Sequence, residues 1–354
     1  MNVRVGVIGV GMIGQDHIRR ITQVLTGGAV VAVNDVDAER AGQVAAGLPG
    51  TVTVTDTAQD LIAAGDVDAV LIASWGAAHE EQVLAAIAAG KPVFCEKPLA
   101  PTSAACLRIM DAEVASGRRL VQVGFMRRYD AGYQAMKAAL DDGRLGPPLL
   151  MHCAHRNPSA PPYFTTDMII SDSAVHEMDV VRWLFGEEIT AAAVLAPRRS
   201  RQAPDGVQDP LILLLEMAGG ALVDDELFVN ARYGYDVRGE LVCEAGTVAL
   251  ADTSEVTVRA ANQRSVVPGG RPPQAPPAGD RVPVDWRDRF IRAYDIELQD
   301  WLNAVAAGTS TGPSAWDGYA AAAVTDAALE ALRTGQRTPV AMAGRPEFYA
   351  KALL

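Results

Sequence analysis

Between residues 171 and 184 the sequence reads SDSAVHEMDVVRWL, and as a helix this sets Asp172, His176 and Asp179 at i, i+4 and i+7 along one face. An imidazole flanked by carboxylates suits proton movement near neutral pH, because histidine titrates there and an acid one turn away can orient the ring. A capped, salt-bridged surface segment also fits, since Asp172 and Ser173 are both good N-cap types. A second candidate is Lys97, in the run Cys95-Glu96-Lys97-Pro98 that ends an apolar strand. There the strand end aims the ammonium at a crevice, whereas an isolated E-K-P reads as a solvated turn.

The third group is Gly9-Val10-Gly11-Met12-Ile13-Gly14, which follows the run VRVGVI and opens a helical segment. In that context Gly9 allows a tight turn, Gly11 lets backbone approach a pyrophosphate and Gly14 lets helix and strand pack closely. The phosphates would rest on the helix N-terminus, over Met12 and Ile13, where N–H groups and the dipole favour anions. Asp35 ends the second strand run, 21 residues after Gly14, where an acid accepts hydrogen bonds from ribose hydroxyls. Its carboxylate would repel a 2′-phosphate, and Val36 and Asp37 supply no cation, so NAD is expected rather than NADP. Ser74 and Trp75 end the fourth strand run, facing the same crevice, and Glu96 and Lys97 end the fifth. His79 reads either as a crevice residue or as a helix-start histidine bonded to backbone.

These positions require particular elements. Short β-branched runs alternate with Ala-rich segments of helical period at 13–26, 37–47, 79–89 and 103–117, the pattern of a parallel sheet with helices on both faces. From about residue 125 the pattern changes. A helix at 130–141 and the one carrying His176 are followed by strand runs at 189–196, 210–217, 221–231, 234–243 and 246–250, with another at 147–155 between the helices. The later runs read as an antiparallel meander turning at Gly219-Gly220. Helices at 287–306 and 315–334 complete the chain, and Trp286, Trp301 and Trp316 are expected in or near a core. The fold class is α/β: a Rossmann dinucleotide-binding domain at 1–124, then an α+β domain with an open, mostly antiparallel sheet at 125–354, for substrate binding and oligomerisation. The last helices could pack back on the first domain.

At 354 residues, two domains with sizeable cores are the default. The formal net charge of −12 argues against nucleic acid and anionic membranes as partners. No apolar run approaches the roughly 18 residues that span a bilayer, and no signal-peptide pattern opens the chain. The four cysteines form neither C-x-x-C pairs nor a zinc pattern, so no metal is expected, and reduced thiols in a cytoplasm are. One Pro/Gly-rich run, PGGRPPQAPPAGDRVP at 268–283, reads as a surface loop.

The glycine motif, CEKPLA, GFMRRYD, HRNP and TTDM with the following helix together resemble the Gfo/Idh/MocA oxidoreductase family, over nearly the whole chain. The resemblance implies a catalytic set of Lys97, Asp172 and His176. On this reading His176 removes a hydroxyl proton, Asp172 steadies the imidazolium and Lys97 favours the developing alkoxide while NAD takes the hydride. It also points to Arg127, His155, Asn157 and Tyr235 as substrate contacts, with Asp179 able to accept two hydroxyls of a polyol. Each has a plainer alternative: Arg127 paired with Asp130, His155 on a strand face, Asn157 in a turn before Pro158, Tyr235 in sheet packing. Inositol-oxidising members are the nearest in motif, so oxidation of myo-inositol to its 2-keto product is expected. Alternatives are scyllo-inositol, an aminocyclitol or a pyranose as substrate, a non-catalytic NAD sensor, or an NAD-retaining hydrolase. A homotetramer built through the C-terminal sheets is also implied.

Overall fold

The structure, a computed structural model, describes residues 2–251, 255–261, 263–267 and 282–350. The chain forms two compact units. One takes the residues through Phe125, then Asp295–Ala322 and the stretch from Ala343 on; the other takes Met126–Tyr294 and Ala323–Met342.

In the first unit, strands β1 (Val3–Ile8), β2 (Gly28–Asn34), β3 (Thr53–Val54), β4 (Ala69–Ile72), β5 (Val93–Glu96) and β6 (Val121–Gly124) form one sheet in the order β3-β2-β1-β4-β5-β6. Every neighbouring pair is parallel. Helices α1 (Met12–Gln23), α2 (Ala38–Ala46), α3 (Ala58–Ala63), α4 (His79–Ala88) and α5 (Ser103–Ser116) make the crossovers. Residues of β4 and β5 are buried throughout, as a strand covered on both faces must be, and their runs are accordingly apolar. Strand order reverses between β1 and β4, which opens a crevice at their carboxyl ends.

The core of this unit is not closed by its first 125 residues. Leu298, Trp301 and Leu302 pack against Val3, Ile18, Ile21, Val30 and Phe94. They lie in the second half of α9 (Trp286–Ala307), whose residues up to Tyr294 belong to the other unit. Arg20, fully buried, is held by Asp16 at 2.5 Å and by Asp295 at 3.1 Å. Of the three tryptophans expected in or near a core, Trp301 and Trp316 are buried and Trp286 is half-buried.

In the second unit, α6 (Ala131–Asp141), β7 (Pro148–Arg156), α7 (Thr166–Met168), a π-helical turn (Ile169–Ala174) and α8 (Val175–Phe185) precede the strands β8 (Ile189–Leu195), β9 (Leu211–Met217), β10 (Leu222–Phe228), β11 (Asp236–Cys243), β12 (Gly246–Leu250), β13 (Val256–Ala260) and β14 (Gln263–Val267). The short β15 (Thr338–Pro339) follows α10 (Ala315–Thr334). The sheet has nine strands in the order β14-β13-β12-β11-β7-β10-β9-β8-β15. The expected simple meander is interrupted, since β7 lies between β10 and β11. It pairs parallel with β10 and antiparallel with β11. Adjacent-strand reasoning misses this because a strand run carries no mark of which later run it will separate.

The two faces of this sheet differ. Met151, Cys153 and His155 of β7 and Val223, Asp225 and Leu227 of β10 face inward and are buried. On the other face Leu150 and Leu222 are register partners, with Leu214 and Leu195 further along, and all four are exposed. Residues 268–281 of the Pro/Gly-rich run lie outside the described residues. Its last residue, Pro283, accepts the amide of Tyr235 at 2.7 Å, and Val282 lies against Gly234 so closely that a Cβ there would stand 2.5 Å from its methyl.

Candidate active site

The glycine turn occupies the crevice of the first unit. Gly9 has φ +87, and a Cβ on it would stand 2.4 Å from the Ser74 amide nitrogen; on Gly14 a Cβ would stand 2.0 Å from the Gly9 carbonyl. Both positions therefore admit only glycine. Gly11 differs, because a Cβ on it would meet nothing within 4 Å. Open space over Gly11 is what close approach of a pyrophosphate requires. Helix α1 begins there with Gly11 as its N-cap, no side-chain cap and no acid in its first turn, whereas α2, α3 and α5 are capped by Asp37, Thr57 and Thr102. Its first amides thus remain available to an anion. These features fit a dinucleotide.

Asp35 follows β2 and is nearly buried. One oxygen accepts the Val10 amide at 2.7 Å, and the other accepts the Asp37 amide at 2.9 Å and the Arg40 guanidinium at 2.6 Å. Burial alone would raise its pKa, but Arg40 and the two amides hold the carboxyl below its usual range. Arg40, five residues on, is a cation that the local reading of Val36 and Asp37 overlooks. At the end of β4, the Ser74 hydroxyl donates to Gln82 at 2.7 Å and Trp75 is exposed. His79 is buried with Nδ1 2.7 Å from the Pro98 carbonyl and Nε2 3.0 Å from the Ser74 carbonyl, a neutral ring donating to one of the two and a protonated ring to both, which is the backbone-bonded role among its two readings. Burial lowers its pKa.

Glu96, buried at the end of β5, accepts His17 Nε2 at 2.7 Å and the Lys97 amide at 3.2 Å. Lys97 is half-buried. His17 was not singled out from the sequence; its place one turn after Gly14, on the inward side of an amphipathic helix, was the available signal.

In the second unit the segment bearing Asp172 and His176 is one continuous helical stretch of two kinds. Asp172 sits in the π-helical turn and His176 in the first turn of α8. A π turn bonds i to i+5, so it takes one more residue than the α-helical reading allows; such turns gather at functional sites. His176 is buried and Asp172 half-buried.

A buried polar array lies near His176. Arg127, just before α6, forms an ion pair with Glu177, each 1% exposed. His155 Nδ1 lies 3.1 Å from Glu177 and 3.2 Å from Arg127 Nη2. With its proton on Nδ1 the ring donates to Glu177 and leaves the Nε2 lone pair open, whereas with its proton on Nε2 it accepts from Arg127 at Nδ1. The His155 ring stands 6.5 Å from that of His176 and 6.0 Å, edge-on, from that of Tyr235. Burial would lift the Glu177 carboxyl, but Arg127 and His155 outweigh it and hold it low. Burial pushes the Tyr235 hydroxyl up to about 12. Among the described residues Arg127 Nε has no acceptor.

Several side chains are engaged differently from their sequence readings. Arg127 pairs with Glu177, and Asp130 instead caps α6 and takes Arg289 at 2.6 Å. Asp179, read as an acceptor for substrate hydroxyls, is 1% exposed and takes both Arg128 Nε at 2.9 Å and Nη2 at 2.5 Å. Asn157 donates its amide to Phe228 and its carbonyl accepts the Ala231 amide, so its backbone bridges the ends of β7 and β10. Glu177 was missed. It falls with Val180, Val181 and Leu184 on one stripe of α8, and an acid on an apolar stripe signals a buried partner.

Among the described residues no group of three His, Cys, Asp or Glu side chains could hold a metal ion, and no helix is long and apolar enough to cross a membrane. Residues 3–125 match the NAD-binding Rossmann fold of the Gfo/Idh/MocA oxidoreductases, and residues 137–342 match their C-terminal alpha/beta domain. The chain is 52% identical over 349 residues to inositol 2-dehydrogenase 3 of Saccharopolyspora erythraea, covering 99% of this chain and 98% of the relative. It is 51% identical over 350 residues to the inositol 2-dehydrogenase of Pseudomonas fluorescens, covering 99% and 100%. A crystal structure of myo-inositol dehydrogenase from Lactobacillus casei with NAD(H) and myo-inositol superposes with a TM-score of 0.88 at 37% identity, covering 99% of this chain and all of that one.

Proposed function

The chain belongs to the Gfo/Idh/MocA oxidoreductase family, and within it we propose an NAD-dependent inositol 2-dehydrogenase that oxidises myo-inositol to 2-keto-myo-inositol. The observation that carries this is identity of about half over the whole length with relatives of that activity. NAD, held by the glycine turn and Asp35, supplies the hydride acceptor.

We assign the first unit to cofactor binding and the second to substrate binding. His176 serves as general base for the hydroxyl proton. Asp172 orients it, and Lys97 stabilises the alkoxide as the carbon is oxidised. With its Nδ1 proton donated to Glu177, His155 offers Nε2 to a substrate hydroxyl, and Arg127 Nε and the Tyr235 hydroxyl add donors. Asn157 completes the contacts, while Asp179 acts by fixing Arg128. The exposed leucines of the second sheet support assembly into a homotetramer through that face. Four buried cysteines, none of them in a disulfide, support residence in the cytoplasm.

The test is NADH formation from NAD with myo-inositol, scyllo-inositol, glucose and aminocyclitols. Preferential turnover of myo-inositol is expected. Preference for another member would reassign the substrate, and NAD binding without turnover of any would remove the dehydrogenase reading.

A further inference from the structure

The carboxylate at the end of β2 is paired with a cation five residues further on, Arg40. Asp35 is the residue expected to meet the ribose diol, and its carboxylate is gripped by Arg40 at 2.6 Å. The pair is asymmetric: the Asp35 side chain is 5% exposed, while Arg40 is 40% exposed. Arg40 therefore reaches over the carboxylate from the solvent side. Its Nη1 stands 3.6 Å from Asp37, and its Nε, although buried, has no acceptor among the described residues. Val36 is fully exposed and apolar, so Arg40 is the guanidinium at this edge. An arginine beside the ribose is the group that NADP-binding relatives of this fold use for the 2′-phosphate. Here the same group is occupied by an acid.

We propose that Arg40 is a cofactor-selecting residue with two states: neutralised by Asp35 it fixes the carboxylate for the ribose diol of NAD, and released from Asp35 it becomes the binding cation for a 2′-phosphate. Selectivity against NADP is then set by one carboxylate, and no second substitution is needed to reverse it. The two-residue reading, in which a new cation must be introduced at Val36 or Asp37, predicts the opposite. This rests on the assignment of NAD to the glycine turn.

The experiment measures binding of NAD and NADP by calorimetry without substrate, in the wild type and in D35S, R40Q and D35S/R40Q. A wild type that fails to bind NAD would sink the underlying assignment and not this step alone. D35S should weaken NAD and tighten NADP, each by about 10- to 100-fold, the range for one charge-assisted hydrogen bond gained or lost. Adding R40Q to D35S should abolish the NADP gain by a similar factor while changing NAD by about threefold or less. R40Q alone should loosen NAD by a few-fold, with R40K restoring part of it. Equal NADP affinity in D35S and D35S/R40Q would overturn the proposal. If D35S proves insoluble, D35N has nearly the same volume, and the same comparison with and without R40Q decides the matter.

Discussion

His176 and Glu177 are adjacent in sequence and differ in role: His176 is the proposed general base, and Glu177 is bound into the array with Arg127 and His155. His176→Ala should lower kcat by about 100-fold or more while calorimetry finds NAD affinity nearly unchanged. A variant with near-normal kcat would take His176 out of the base role. The buried acids of this array respond to pH in opposite directions. Glu177 titrates below its unfolded value near 4.5, so its contribution is present above that pH and is lost as pH falls through the folded pKa. Asp225 is fully buried on β10, neither oxygen has a hydrogen-bond partner among the described residues, and burial, then the nearby Glu177 charge, drives its pKa well up. Its contribution is largest below the unfolded value of 3.8 and falls as pH rises towards the folded pKa, so at neutral pH Asp225 costs stability. Asp225→Asn should therefore raise the unfolding midpoint, by a margin that widens as pH rises from the unfolded value of 3.8 towards the folded pKa. A constant or shrinking margin would mean that Asp225 is ionised in the folded chain. At this scale the sequence marks candidate residues and says much less about their partners. Asp172, His176 and Lys97 stand out by type and spacing, but the pairing of Arg127 with Glu177 rather than with nearby Asp130 is decided by packing between distant segments.

The elements were the most legible part, because glycines, caps and hydrophobic period act over a few residues. The glycine turn illustrates what each position does. Gly14→Ala would drive a Cβ to 2.0 Å from the Gly9 carbonyl and must push α1 away from β1, so its melting temperature should drop even without cofactor. Gly11→Ala meets only open space and should melt like the parent, with the damage confined to NAD affinity. Equal thermal loss in both would mean that the space over Gly11 is not reserved for a ligand. Two element-level features were not legible. The π-helical turn at Ile169–Ala174 has the same local composition as an α-helix, and the difference of one residue per turn leaves no mark in a short stretch. The insertion of β7 between β10 and β11 arises from pairing across 72 residues of sequence to β10 and 80 to 95 to β11.

For the whole molecule, the outward leucines give the clearest handle on assembly. Leu150 and Leu222 are directly paired on the outer face, and a charge there would be intolerable in a buried interface but harmless on an open one. If the proposed homotetramer forms through this face, Leu222→Asp should yield smaller species by light scattering, with the circular dichroism of the folded chain retained. An unchanged mass would move the contact elsewhere. The division of the chain at this scale carries a further lesson. Hydrophobic residues Leu298, Trp301 and Leu302 belong to the core of the cofactor unit although they arrive after the whole sheet of the other unit has been made. The ribosome thus releases the glycine turn long before the residues that seal it. The nascent cofactor half must wait, partly uncored, until α9 has been made, and a single crossover near residue 125 would separate it from that part of its own core.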